Sequence, residues 1–379
     1  MELAARWRYR SIELYRNWRW LVETHLIKQS WDEYLARQTR LSELRAQQGM
    51  ERGRSHPIFG WTYNPGFAID DAELELRLPI NSHALRGEEF PTQKPAGELR
   101  ILCLGGSTTA GEEVADEETY PAQLQALLCE RLPGRAIRVI NGGVPSYAVK
   151  QSLELYALSL RHLEADYVTV YHGINDLFDF AHAGVEIEPS ANFNHRPVAP
   201  FVFEGDAIEE SASLPREIAR AFLHRSLAWQ LWREGRNLPP PVKTDLGGVE
   251  AGLALFAERY GMLLDEIASH GAVAVPVTFE VAFPQSFAPD ERARIEKSLR
   301  IWLDRAGISV SDGPDVLAGM NARVRDLASE RGCPLVEVAG RVPPDAEHFV
   351  DCCHLTAAGN HRIAEILAET LLARITAEH

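Results

Sequence analysis

The chain has 379 residues, 45% of them apolar and 25% charged, a globular composition with enough apolar side chain for a sizeable core. Its formal net charge of −15 would repel a phosphate backbone, which argues against nucleic acid as a partner. Five cysteines, Cys103, Cys129, Cys333, Cys352 and Cys353, form no C-x-x-C pair, so neither a disulfide framework nor a zinc ribbon is indicated and reduced thiols are expected.

Residues 1–54 carry eleven Lys or Arg against seven Asp or Glu, a local +4 that leaves −19 for the remainder. Leu14, Trp18 and Leu21, then Trp31, Tyr34 and Leu35, fall at helical spacing with no Gly or Pro before Gly49. This predicts an amino-terminal extension of one or two amphipathic helices. Its four Trp, together with Arg, suit packing on the main domain, with a peripheral membrane or protein contact as the other use of such a face. Arg6, Arg8 and Arg10 interrupt any apolar core of a secretory signal, and no stretch approaches the roughly 20 apolar residues of a membrane span. A cytoplasmic location is the expectation.

Residues 55–97 read as a connecting segment. From about residue 98 to the end at 379, short apolar runs alternate with longer helical stretches, the pattern of parallel strands joined by crossover helices in an α/β sandwich. Strands are predicted at 100–104, 137–140, 167–171, 272–277 and 335–338, each rich in Val, Ile or Leu as doubly buried strands are. Helices are predicted near 118–132, 147–164, 249–269, 315–331 and 357–375. Residues 177–247 break this rhythm with Pro189, Pro197, Pro200, Pro215 and Pro239 to Pro241, and read as an insertion, with a helix at 218–232, that lines a cleft.

Three of the predicted strand ends carry polar chemistry. Leu102-Cys103-Leu104 runs into Gly105-Gly106-Ser107-Thr108-Thr109, placing Ser107 at a strand's carboxyl end, where open α/β sheets bind ligands. The Lys of a phosphate-binding P-loop is missing, and Thr109 stands where a G-x-S-x-G elbow requires glycine. Asn141-Gly142-Gly143 ends a second strand with a backbone N–H that a substrate oxygen can approach. Tyr171-His172-Gly173-Ile174-Asn175-Asp176 ends a third. Here the Asn175 carboxamide can donate to a developing oxyanion, Asp176 reads as a cap, and His172 as a packing residue.

Before the last helix, Asp351-Cys352-Cys353-His354 sets a carboxylate three residues ahead of an imidazole, a spacing at which both share one turn and the carboxylate fixes the ring's tautomer. Asp345 and His348 repeat that spacing. With Glu347, Asp351 and His354 they also suggest a metal cluster, but H-E-x-x-H is absent and Pro343 and Pro344 point to a loop, so no metal is expected.

Together, Gly105-x-Ser107, Gly143, Gly173-x-Asn175-Asp176 and Asp351-x-x-His354 resemble, in order and spacing, the blocks of the SGNH or GDSL-like hydrolase superfamily over about residues 98–376. Gly106 and Thr108 stand where that family's commonest block has Asp and Leu. The resemblance implies a flavodoxin-like three-layer sandwich with a five-stranded parallel sheet and a triad of Ser107, His354 and Asp351. It implies an oxyanion hole from the Ser107 and Gly143 N–H groups and the Asn175 side chain, and no cofactor. His354 is preferred to His348 because the family histidine precedes a short turn into the final helix, as Leu355, Thr356 and Gly359 do here. The implied activity is cleavage of a small-molecule, glycan or lipid ester through an acyl-enzyme. The same residues would serve acyl transfer to a hydroxyl acceptor, and a silent binding cleft is the third reading.

Overall fold

In the computed structural model, residues 50–71, 76–180 and 246–377 are described, with Ala36, Arg40, Glu43, Leu44 and Gln47 before them. The helices expected before residue 36 and at 218–232, and most of the 177–247 insertion, lie outside the described residues.

Four strands form the central sheet: β5 (Leu99–Gly105), β6 (Ile137–Gly143), β7 (Tyr167–Tyr171) and β8 (Val273–Val277). All neighbours are parallel, in the order β6-β5-β7-β8. Every residue of β5 and β7 is buried, which is why these runs are mostly apolar rather than alternating, with Arg100 the buried charged exception, paired with Glu98 and donating to Leu163 O at 2.8 Å. The fifth strand expected at 335–338 is reduced to one parallel bridge, Val277 to Val336, with the Val336 N–H donating to Pro276 O at 2.9 Å and the Thr278 N–H donating to Val336 O at 3.0 Å. Pro334 precedes it, and at Val338 the Thr278 hydroxyl takes the N–H at 2.9 Å in place of a ladder carbonyl. The layering survives this correction.

The chain leaves β5 toward β6 and then crosses back past β5 to β7, so right-handed crossovers put the intervening helices on opposite faces. After β5 come the single turn α1 (Ser107–Ala110) and α2 (Tyr120–Arg131), and after β6 comes α3 (Val149–Leu155). A short α4 (Leu177–Phe180) follows β7. Then come α5 (Leu246–Ser269), α6 (Pro289–Ala306), α7 (Gly313–Arg331) and α8 (Ala357–Ala377). Helix α8 packs on α2 in one layer, and α5 packs on α3 and α7 in the other. The point where strand order reverses, between β5 and β7, is where such sheets open a crevice at their carboxyl ends.

The single helix expected at 147–164 is instead α3, a π-helical stretch Tyr156–Leu160 and a 3-10 turn Arg161–Leu163, closed by Glu164 at φ +54°. Helix α6 was not anticipated. From Gly53 to Pro79 the chain forms two antiparallel hairpins, β1 (Gly53–His56) with β2 (Gly60–Tyr63) and β3 (Ala68–Asp71) with β4 (Leu76–Pro79). Phe59, Tyr63, Phe67, Ile69 and Leu78 from these hairpins are buried in the same apolar core as the central strands.

Candidate active site

Ser107 opens α1 directly off β5. The turn is tightly packed: a Cβ on Gly105 would stand 2.0 Å from Thr109 Oγ1 and 2.8 Å from Tyr171 O, and one on Gly106 would stand 2.5 Å from Asn175 Nδ2. The Asn175 amide lies over the Gly106 Cα. Among the described residues the Ser107 N–H has no intramolecular acceptor, as befits the first residue of a helical turn.

His354 reaches Ser107 from the far end of the sequence, its Nε2 lying 2.8 Å from Ser107 Oγ. On its other side Nδ1 lies 2.7 Å from Asp351 Oδ2. The three-residue spacing works because the carboxylate divides its labour. Its Oδ1 accepts the N–H groups of Cys353 and His354, both at 2.8 Å, and so holds the turn, while Oδ2 holds the ring. The Val350 N–H closes the turn on His354 O at 2.8 Å, and the buried Ser298 hydroxyl on α6 accepts the Cys352 N–H at 3.1 Å.

Burial pushes the Asp351 carboxyl up, but the His354 charge and these hydrogen bonds outweigh it and hold the group down at about 2. Burial pushes His354 down, yet the carboxylates of Asp351 and Glu113 together lift it above the ordinary imidazole value of 6.5. Glu113 was not singled out in the sequence. Its Oε1 lies 3.7 Å from His354 Nε2, with the side chain 28% exposed.

Asn175, at the end of β7, donates through Nδ2 to Tyr147 O at 2.8 Å, which leaves its second Nδ2 hydrogen beside Gly106 and Ser107. Gly143, expected as a further donor, is engaged elsewhere: its N–H donates to Asn141 Oδ1 at 3.0 Å. Its glycine identity follows from packing, because a Cβ would sit 2.3 Å from Ala110 N and 2.6 Å from Thr109 C. Gly143 thus lets α1 close down on β6, a steric role that stands beside the donor role expected of it.

The other polar candidates separate from this group. His172 is buried, pairs with Ser152 Oγ at 2.8 Å and is pushed by burial to about 3, so it stays neutral. Asp176 is a cap, as read from the sequence, but for a distant helix: Oδ1 accepts the Val149 N–H at the start of α3 at 2.9 Å. The look-alike pair does form, His348 Nδ1 lying 2.7 Å from Asp345 Oδ1, yet no serine faces that ring among the described residues. Asp351, Cys353 and His354 bring ligand-type atoms within 4.8 Å of one another, but both nitrogens of the ring are already engaged.

A recess of about 10 Å³ lies against Ser107, walled by Tyr171, Ile174, Asn175 and Phe279. A larger cavity of about 230 Å³ lies apart, between the β1–β2 hairpin and the α3 side, and shares none of these residues. The chemistry belongs to the smaller one, since Ser107 and Asn175 line it. Among the described residues no helix is long and apolar enough to cross a membrane.

Matches among solved structures include an α/β hydrolase from the metagenome of Lake Arreo, Spain, at 16% identity and a TM-score of 0.39 over 72% of this chain and 94% of that one. An acetylxylan esterase from Geobacillus stearothermophilus matches at 14% identity and a TM-score of 0.40 over 72% of this chain and 93% of that one. No curated protein sequence matches. A model of the GDSL-like lipase/acylhydrolase family matches residues 103–362, more than half of the chain and a span that holds Ser107, Asn175, Asp351 and His354. With the serine, imidazole and carboxylate in one hydrogen-bonded line, that match identifies the chain as a member of the GDSL-like lipase/acylhydrolase family, an ester-hydrolysing enzyme.

Proposed function

We propose that the protein is a serine esterase that cleaves short-chain carboxylic esters through an acyl-enzyme on Ser107. The observation that carries this reading is the unbroken line from Ser107 Oγ to His354 Nε2 at 2.8 Å and from Nδ1 to Asp351 at 2.7 Å. His354 takes the Ser107 proton as the oxygen attacks the carbonyl carbon, and the resulting oxyanion is met by the Ser107 N–H and the free Asn175 Nδ2 hydrogen. The imidazolium then returns its proton to the departing alkoxide. Water repeats the sequence on the acyl-enzyme to release the acid.

Among the described residues, the recess beside Ser107 supports the restriction on acyl length, since about 10 Å³ accommodates one water-sized or methyl-sized group. Its walls are stiff: Phe279 stacks on Tyr171 with ring centroids 4.7 Å apart, and a Cβ on Gly173 would already strike Phe279 at 2.6 Å. Acetyl esters should exceed hexanoyl esters of the same alcohol in kcat/KM by at least about tenfold, the scale on which a pocket discriminates methylenes.

A fluorophosphonate probe on the full chain tests the mechanism. Wild type should label stoichiometrically on Ser107, and Ser107→Ala should lose both labelling and hydrolysis. Equal hydrolysis by the two proteins would sink the reading. Asn175→Ala should reduce kcat by roughly two to three orders of magnitude, the usual cost of one oxyanion donor.

A further inference from the structure

His354 lies between two carboxylates. Asp351 holds Nδ1, and Glu113 faces the nitrogen that handles the reacting proton, 3.7 Å from Nε2 against 2.8 Å for Ser107 Oγ. In the neutral ring the serine hydroxyl holds Nε2. Once the ring is charged, Glu113 is the anion nearest that N–H on the side where the leaving oxygen must arrive.

Glu113 is held in this position from both sides. The guanidinium of Arg86, whose side chain is fully buried, donates to the carbonyls of Ala110 (2.7 Å) and Gly111 before it and to Val114 O (2.8 Å) after it, and pairs with Asp116 at 3.1 Å. The neighbouring Glu112 is drawn the other way, accepting from Tyr63 Oη at 2.7 Å and pairing with Arg52. Two adjacent acids are thereby sorted: Glu112 is neutralised by the β1–β2 hairpin, and Glu113 keeps His354 as its one ion-pair partner among the described residues.

We propose that Glu113 is a positioning residue that orients the charged His354 ring toward the leaving oxygen and turns away alcohols that carry negative charge. The assignment rests on the esterase reading above. The groups facing the ring are Asp351, Cys352 and Cys353 from its own turn, Ser107 from α1, and Glu113 with Glu112 behind it. Among these Asp351, Glu113 and Cys352 raise the ring's affinity for a proton, while Glu112, paired with Arg52, acts on Glu113. Replacing Glu113 by its neutral isostere removes one anion without removing the triad. A neutral ring is the base, so less stabilisation of the charged ring moves the acid limb of kcat/KM down in pH.

The test uses the full-length Glu113→Gln protein, with Glu113→Asp as a second variant that keeps the charge but draws it back. The His354 ring titration, followed by imidazole NMR and assigned by its loss in His354→Ala, should fall by about one pH unit in Glu113→Gln, as removal of one mostly buried charge at this distance implies. Glu113→Asp should fall less. In parallel, kcat/KM is compared for acetylsalicylate and its neutral methyl ester, two acetyl esters that differ by one charge on the leaving alcohol. Wild type should prefer the neutral ester, and Glu113→Gln should reduce that preference about tenfold. An unchanged titration in a folded variant would overturn the positioning role, and an unchanged ratio the charge filter. Failure of wild type to hydrolyse either ester in a Ser107-dependent way would fall on the esterase reading, leaving the titration to judge Glu113 by itself.

Discussion

Asp345 and Asp351 each stand three residues before a histidine and each lies 2.7 Å from its histidine's Nδ1, so local chemistry does not separate them. What separates them is the ring's other nitrogen, which only in His354 meets a serine. Asp351→Asn should therefore cost roughly four orders of magnitude in kcat, the effect of presenting the wrong tautomer to a nucleophilic serine, while Asp345→Asn should leave kcat within about twofold, as an exposed substitution away from the site does. Steady-state assays on the two variants in parallel measure both. Residue types and spacing marked Ser107, Asn175, Asp351 and His354 because triad chemistry has few solutions. Glu113 stayed invisible, since one Glu in an acidic chain carries no pattern and only the fold brings it to Nε2. Gly143 was legible as a required glycine but not for its packing, because contact with the Ala110 backbone is a tertiary fact.

At the scale of elements, apolar runs and capping residues made β5 to β8 and α2, α5, α7 and α8 readable, with boundaries displaced by a few residues. Helix α6 had signals of its own: Pro289 at its start, buried Ile295, Leu299, Leu303 and Ala306, and Gly307 at φ +71° closing it. Its charged outer face obscured that stripe. The four-residue strands β1 to β4 are too short for periodicity to register, and their significance is carried by Arg86. This guanidinium is wholly buried, and it meets the carbonyl that ends α1, two carbonyls of the loop after it and the Asp116 carboxylate. Arg86→Met keeps the volume but leaves those acceptors and one acid without a partner, so unfolding free energy should fall by about 3–5 kcal/mol. Urea denaturation followed by circular dichroism measures it, and a loss under about 1 kcal/mol would mean the loop is held by other contacts. Because the same clamp holds Glu113, the variant's acid limb should also move toward that of Glu113→Gln.

The whole molecule raises the question of where the catalytic unit begins. Motifs alone put its start near residue 98, where the first sheet strand follows, and treat what precedes as connection. Packing argues otherwise, because Phe59, Tyr63, Phe67, Ile69 and Leu78 join one continuous core with the sheet. At roughly 1.5–3 kcal/mol for each buried side chain, these five alone match the ~5–15 kcal/mol that keeps a typical domain folded. The hairpins also deliver Arg86 to the loop after α1, Arg52 and Tyr63 to Glu112, and the Trp61 carbonyl to Tyr147 Oη at 2.6 Å, whose own carbonyl takes the Asn175 amide. We therefore propose that residues 50–97 are part of the catalytic domain. A chain beginning at residue 98 should lack a cooperative thermal transition, elute as aggregate in size-exclusion chromatography and fail to label with fluorophosphonate, while the full chain melts cooperatively and labels. A truncated chain that is monomeric, melts sharply and reacts at Ser107 would return the hairpins to the status of an appendage.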